Sequence, residues 1–139
     1  MNVTASYPSL KNRVVIITGG AQGLGRAYAE HFAQQGSIPV IVDFDGDKAT
    51  AVQKSLEAQG HRALAIRTDV ADPQSTATMA EQVLAKFGRI DVLINNAALF
   101  SKITLAPFWE LPLDEWRRAS RCSRSSCRTR RCIDWSRIA

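Results

Sequence analysis

Thr18-Gly19-Gly20-Ala21-Gln22-Gly23-Leu24-Gly25 lies between a β-branched run, residues 13–18 (RVVIIT), and a helically spaced segment, residues 25–35. A short apolar run bounded by turn residues reads as a strand buried on both faces. The glycines allow a sharp strand-to-helix turn, and they let the backbone approach a neighbour closely. This octet decides how the rest of the chain is read.

Working outward, the same alternation repeats. Residues 38–42 form a second buried strand, with Pro39 tolerable near its start. Residues 47–58 are helical with Ala51, Val52, Ser55 and Leu56 inward, and Gly60 stops them. Residues 62–68 make a third strand. Residues 73–87 make a helix with Met79, Val83 and Phe87 inward, opened by Pro73 and closed by Gly88. Residues 90–95 (IDVLIN) are the fourth strand. In the first helix, Leu24, Tyr28, Phe32 and Ala33 share the inward side. Strands and helices alternating over short connections predict an α/β fold with a right-handed, doubly wound parallel sheet. After Asn96 the rhythm loosens: residues 107–109 read as a loop, and 113–118 open like another helix.

The chain has 139 residues, 45% of them apolar, which fits one domain and excludes disorder throughout. No apolar run reaches the roughly 18 residues of a membrane span, and no secretory leader opens the chain, so a cytoplasmic location without membrane contact is expected. The net charge of +5 misleads. Residues 1–116 carry 10 basic and 12 acidic groups, a net of −2, whereas residues 117–139 carry eight Arg and one Asp, a net of +7. In residues 119–139, 14 of 21 positions are Arg, Ser or Cys, so no periodic apolar face forms and disorder is expected. Cys122, Cys127 and Cys132 lack the pair spacing and fourth ligand of a zinc site, so no metal is expected. Trp135 is the tail's one aromatic residue, too little for a stacking array, so no specific nucleic-acid partner is expected.

The octet's placement gives it chemistry. A glycine turn that opens a helix brings backbone amides and the helix dipole to a pyrophosphate. The second strand ends at Val42-Asp43, 18 residues after Gly25. A carboxylate there accepts hydrogen bonds from adenosine ribose hydroxyls and repels a 2′-phosphate. Phe44 stands where a phosphate-binding Arg could be, and Gln22 rather than a basic residue precedes Gly23. Together these favour NAD over NADP. The competing role for Asp43 is the N-cap of the next helix, which Asp45 or Asp47 could also fill.

These residues closely resemble the short-chain dehydrogenases/reductases. Thr18-Gly19-x-x-x-Gly23-x-Gly25 has that family's loop spacing. Asp69-Val70 resembles its adenine-contacting pair, Asn95-Asn96-Ala97-Ala98 its Asn-Asn-Ala-Gly signature with Ala98 for Gly, and Asp114-Glu115-Trp116 the start of its next helix. The resemblance covers residues 10–118 and implies the cofactor-binding, N-terminal half of a Rossmann fold. It implies that Gly19, Gln22, Gly23, Leu24 and Gly25 embrace the pyrophosphate and that Asp43 holds the adenosine ribose. Asp69 and Val70 would then border the adenine, with Asn96 and Ala97 beside the cofactor ribose. Asp69 could instead cap a helix, and Asn95 and Asn96 could satisfy strand-end backbone groups as well as bind.

The family's proton-transfer chemistry uses a Tyr-x-x-x-Lys pair and a Ser, with an Asn in the helix after strand four; the lysine brings the tyrosine's pKa toward working pH. Tyr7-Pro8-Ser9-Leu10-Lys11 has that spacing but precedes the first strand in a Pro-containing arm, so no catalytic residue is assigned. Strand four, central in the family, is expected at an edge. The change in composition after Arg118 suggests a frameshift and early stop, which divides the chain into a Rossmann region (1–118) and a tail (119–139). The expected function is an NAD-dependent oxidoreductase of secondary alcohols or ketones, represented by its cofactor-binding half and inactive alone. A small-molecule substrate and homo-oligomer formation belong only to a full-length form. The alternative is a non-catalytic dinucleotide-binding or interaction module.

Overall fold

The computed structural model describes residues 5–98, 107–110 and 112–117. Expectations for residues 119–139, and for the end of the helix opening at 113, lie outside the described residues. Four strands, β1 (Val14–Thr18), β2 (Ile38–Asp43), β3 (Leu64–Arg67) and β4 (Val92–Ile94), alternate with helices α1 (Gly23–Gln34), α2 (Gly46–Ala58) and α3 (Pro73–Phe87). The strands are parallel in the order β3-β2-β1-β4. The expected doubly wound sheet is therefore present.

Alternation along the strands sorts side chains to two faces. Val14, Ile16, Val40, Val42 and Ile66 pack against Met79, Ala80 and Val83 of α3. Val15, Ile17 and Ile41 pack against Ala29 and Ala33 of α1 and Val52 and Leu56 of α2. All five β1 residues are buried, because helices cover both faces.

Two helices bring their own start signals. Asp45 caps α2 by accepting from the Lys48 amide, and Asp72 caps α3 by accepting from Gln74, with Pro73 in the first turn. Gly88 closes α3 in the left-handed conformation, φ +73°, with its amide donating to the Leu84 carbonyl. Asp45 thus takes the cap that competed for Asp43, and Asp72 the one that competed for Asp69.

Several boundaries and one face differ from expectation. The third and fourth strands are shorter than residues 62–68 and 90–95, ending where pairing with β2 and β1 ends. Residues 108–110 form a 3-10 turn rather than an open loop. Helix α1 begins two residues earlier than residue 25, and its buried stripe is Gly25, Ala29 and Ala33. Leu24 is 70% exposed and Tyr28 39%. Only small residues fit where this helix lies close over the sheet. In α2 the inward residues are Ala49, Val52 and Leu56, with Ala51 exposed.

At the opposite end of the sheet from the glycine turn, Asp91 joins the starts of β1 and β4. Its carboxylate accepts from the Val14 amide at 2.9 Å, from Arg13 Nη1 at 2.8 Å and from the Arg89 guanidinium. Burial alone would raise this carboxyl, but the bonds from Arg89, Val14 and Arg13 together outweigh it and hold it at about 2, below the ordinary 3.8. A depressed acid stabilises the fold above its unfolded pKa and loses that contribution as pH falls through the folded value. The contribution, about 1 kcal/mol once screening of the exposed guanidinium partners is allowed for, is therefore complete above about pH 5, declines as pH falls past 3.8 and is lost as pH falls through about 2. Urea titrations across this range should show the decline in the native chain and a much flatter profile in Asp91→Asn, which is less stable at pH 7.

Candidate functional site

The chain passes from β1 through β2 and β3 on one side of the sheet, then returns to place β4 on the other side of β1. The direction of winding reverses between β1 and β4. In open α/β sheets, the crevice at the carboxyl ends of such strands is where ligands lie. The glycine turn, Asp69 and Asn96 follow the carboxyl ends of β1, β3 and β4, and Asp43 is the last residue of β2.

The turn is built by close approach. Gly19 and Gly23 have φ of +64° and +53°, which glycine adopts without strain. A Cβ on Gly25 would lie 2.1 Å from the Gly19 carbonyl oxygen and 2.6 Å from Asn96 Nδ2, so α1 starts in van der Waals contact with the loop that precedes it. A Cβ on Gly19 would meet the Ala97 Cα at 2.9 Å. Gly23 differs, since a Cβ there would meet nothing within 4 Å. Glycine at 23 serves backbone conformation and leaves an open face beside the start of α1.

Asn96 fastens this turn to β4. Its Nδ2 donates to the Thr18 and Gly19 carbonyls at 3.0 and 3.1 Å. The Thr18 hydroxyl donates to the Ile94 carbonyl and accepts from the Asn96 and Ala97 amides. Sequence reasoning did not give Thr18 a role; the available signal was a hydroxyl at the last position of an otherwise apolar strand.

Asp43 braces the turn from the other side. Its Oδ2 accepts from the Ala21 amide at 3.0 Å and its Oδ1 from the Asp45 amide at 3.1 Å, while the Gly20 amide donates to the Val42 carbonyl. Asp69 is one strand further out. Its side chain accepts from the Ala71 amide in a tight local turn, and its amide donates to Ser75 Oγ. Val70 follows it, half-buried. The structure thus joins the glycine turn, Asp43, Asn96 and Ala97 in one connected network, with Asp69 and Val70 in the loop after the neighbouring strand.

The start of α1 contrasts with the other two helices. Gln22 is extended and offers no side-chain cap, whereas Asp45 and Asp72 cap α2 and α3. Uncapped first-turn amides next to an open glycine face form a cradle suited to an anionic group. Gln22, Gly23 and the exposed Leu24 form the rim of that cradle. Tyr7 and Lys11 flank a single 3-10 turn, Pro8–Leu10, where the Tyr7 amide donates to Gln35 Oε1. This is the end of the sheet away from the glycine turn. Among the described residues, no group of three or more His, Cys, Asp or Glu side chains is arranged to hold a metal ion, and no helix is long and apolar enough to cross a membrane.

A family model described as short chain dehydrogenase matches residues 13–127. The chain belongs to this family. It is 42% identical over 106 residues to a cis-4-hydroxycyclohexanecarboxylate dehydrogenase of Sinomonas cyclohexanicum, covering 76% of this chain and 41% of that one. A short chain dehydrogenase/reductase from Burkholderia phymatum, solved in complex with NAD, superposes with a TM-score of 0.80 at 27% identity, over 93% of this chain and 44% of the other. A metagenomic short-chain oxidoreductase in complex with NADP gives a TM-score of 0.76 at 31% identity, over 82% and 51% respectively. The chain spans about two fifths of the length of the curated relatives it matches.

The short chain dehydrogenase glycines are not equivalent in this chain, and substitution should separate them. Gly25→Ala forces a Cβ into the Gly19 carbonyl, so it should lower stability by about 3 kcal/mol or more. Gly23→Ala meets no neighbour and should cost only about 1–2 kcal/mol for the left-handed backbone. Urea unfolding of the two variants measures the difference.

Proposed function

We propose that residues 1–118 form the dinucleotide-binding region of a short chain dehydrogenase, with residues 119–139 outside it. The observation that carries this reading is the cradle at the start of α1, held between Asp43 on β2 and Asn96 beyond β4. Amides at 22–25 bind the pyrophosphate, the open face of Gly23 lets it approach, and Leu24 covers it. Asp43 orients the adenosine ribose, Asp69 and Val70 border the adenine, and Asn96 and Ala97 line the second ribose. When bound, the nicotinamide supplies or accepts the hydride exchanged with a secondary alcohol or ketone. The names of relatives, among them meso-2,3-butanediol dehydrogenase, support that substrate class for the whole protein.

NAD is the proposed cofactor rather than NADP. Relatives solved with each cofactor leave the choice to local residues. Asp43 is at the end of β2, and an anionic side chain beside the ribose opposes a 2′-phosphate. Within these 139 residues the one Tyr-x-x-x-Lys spacing, Tyr7 to Lys11, is at the far end of the sheet. It cannot serve proton transfer at the cradle, so the chain holds the cofactor without turning substrate over.

Calorimetry of the full 139-residue chain should show NAD binding about tenfold or more tighter than NADP, and Asp43→Ala should narrow that ratio. Equal affinities in the native chain would overturn the cofactor assignment. Assays with secondary alcohols should show no turnover, and activity in material free of host dehydrogenases would overturn the binding-only reading.

A further inference from the structure

We propose that Arg67 is a second determinant of cofactor choice: it is the cation that takes a 2′-phosphate on the adenosine ribose once Asp43 no longer opposes it. This rests on the dinucleotide reading above and adds a residue to it.

Arg67 is the strand partner of Asp43 in the parallel β2–β3 register. Partners in register project from the same face, on strands about 4.8 Å apart. Three contacts fix where the guanidinium stands. Its Cζ lies 5.6 Å from the centre of the Phe44 ring, and its Nε donates to the Phe44 carbonyl at 3.3 Å. Its aliphatic stem packs on Gly46, where an added Cβ would lie 3.1 Å from Arg67 Cβ and 3.4 Å from Cγ and Cδ. Nε is thereby occupied, while Nη1 and Nη2 are the two donors suited to a bidentate bond with a phosphate. Among the described residues, no carboxylate lies within ion-pair distance of Arg67. Lys48, the other cation near Asp43, is engaged by Asp45 at 2.9 Å.

Phe44 takes the place of a cation at the position after Asp43. The structure returns that cation from the neighbouring strand, laid over the Phe44 ring. Asp43 opposes the 2′-phosphate and Arg67 partly offsets it, so discrimination against NADP is smaller than a site without Arg67 would give.

The test compares four 139-residue chains: native, Asp43→Ser, Arg67→Gln, and the double variant. NAD and NADP dissociation constants are measured by calorimetry, with urea stability alongside. Gln keeps the Cβ–Cγ–Cδ stem on Gly46, so Arg67→Gln should fold with nearly native stability. Asp43→Ser should bind NADP about tenfold more tightly than the native chain. Adding Arg67→Gln should remove at least fivefold of that gain while changing NAD affinity less than twofold. Equal NADP affinity in Asp43→Ser and the double variant would overturn the proposal and leave the dinucleotide reading intact. Equal weakening of both cofactors by Arg67→Gln would also overturn it, reducing Arg67 to a structural support. Binding of neither cofactor by any of the four chains would overturn both readings.

Discussion

The Asn96 carboxamide, donating to the Thr18 and Gly19 carbonyls, is the contact on which this site depends. Both carbonyls close the end of a buried strand, where backbone acceptors need partners. Asn96 satisfies both from the loop after β4, which requires β4 to lie directly beside β1. The same carboxamide stands 2.6 Å from where a Gly25 Cβ would be, so it also fixes how closely α1 can begin. One planar amide therefore sets the spacing of β1, β4 and the first helix. The Thr18 hydroxyl completes the seam by binding across to the Ile94 carbonyl and to the amides of Asn96 and Ala97.

That constraint explains which helix lacks a cap. A carboxylate at position 22 would have stabilised α1, as Asp45 and Asp72 stabilise α2 and α3. It would also have placed an acceptor and a negative charge at the amides of the cradle. The chain places its nearest carboxylate, Asp43, one strand away, where it holds the Ala21 amide and leaves the first turn of α1 uncapped. The first helix gives up a cap worth roughly 1 kcal/mol and retains a surface receptive to anions.

Much of this was legible in the sequence, and the failures have a common cause. Continuous β-branched runs and glycine stops marked each strand and helix, because strands covered on both faces and left-handed helix ends allow few alternatives. Glycines at 19, 23 and 25 and the acid at 43 marked the crevice for the same reason: few residues meet those backbone and charge requirements. The inward face of α1 departs from the apolar pattern, with Gly25 and Ala29 buried in place of Leu24 and Tyr28, because apolar size is a poor mark of burial here. Where a helix lies within a few ångströms of a strand-turn backbone, burial selects the smallest side chains, and the large ones are displaced to the rim. The bonding of Thr18 was marked only by a hydroxyl ending an apolar strand, and the placement of Arg67 beside Asp43 was not marked. Each depends on pairing between strands distant in the sequence, β1 with β4 and β2 with β3.

The bonding capacity of Asp43 connects support of the loop with recognition. An ionised carboxylate offers about four acceptor positions. The Ala21 and Asp45 amides take one on each oxygen. The remaining positions suffice for the two hydroxyls of a ribose, so bracing the turn and accepting a diol do not compete. They reinforce each other instead. A carboxylate already fixed by two backbone amides loses little rotational freedom when a diol arrives, and a diol that holds the carboxylate in place strengthens its hold on Ala21. In the proposed reading, substitution at this position therefore acts on the phosphate cradle as well as on the ribose. A neutral side chain without both acceptors loosens the turn even for a ligand that has no ribose hydroxyls.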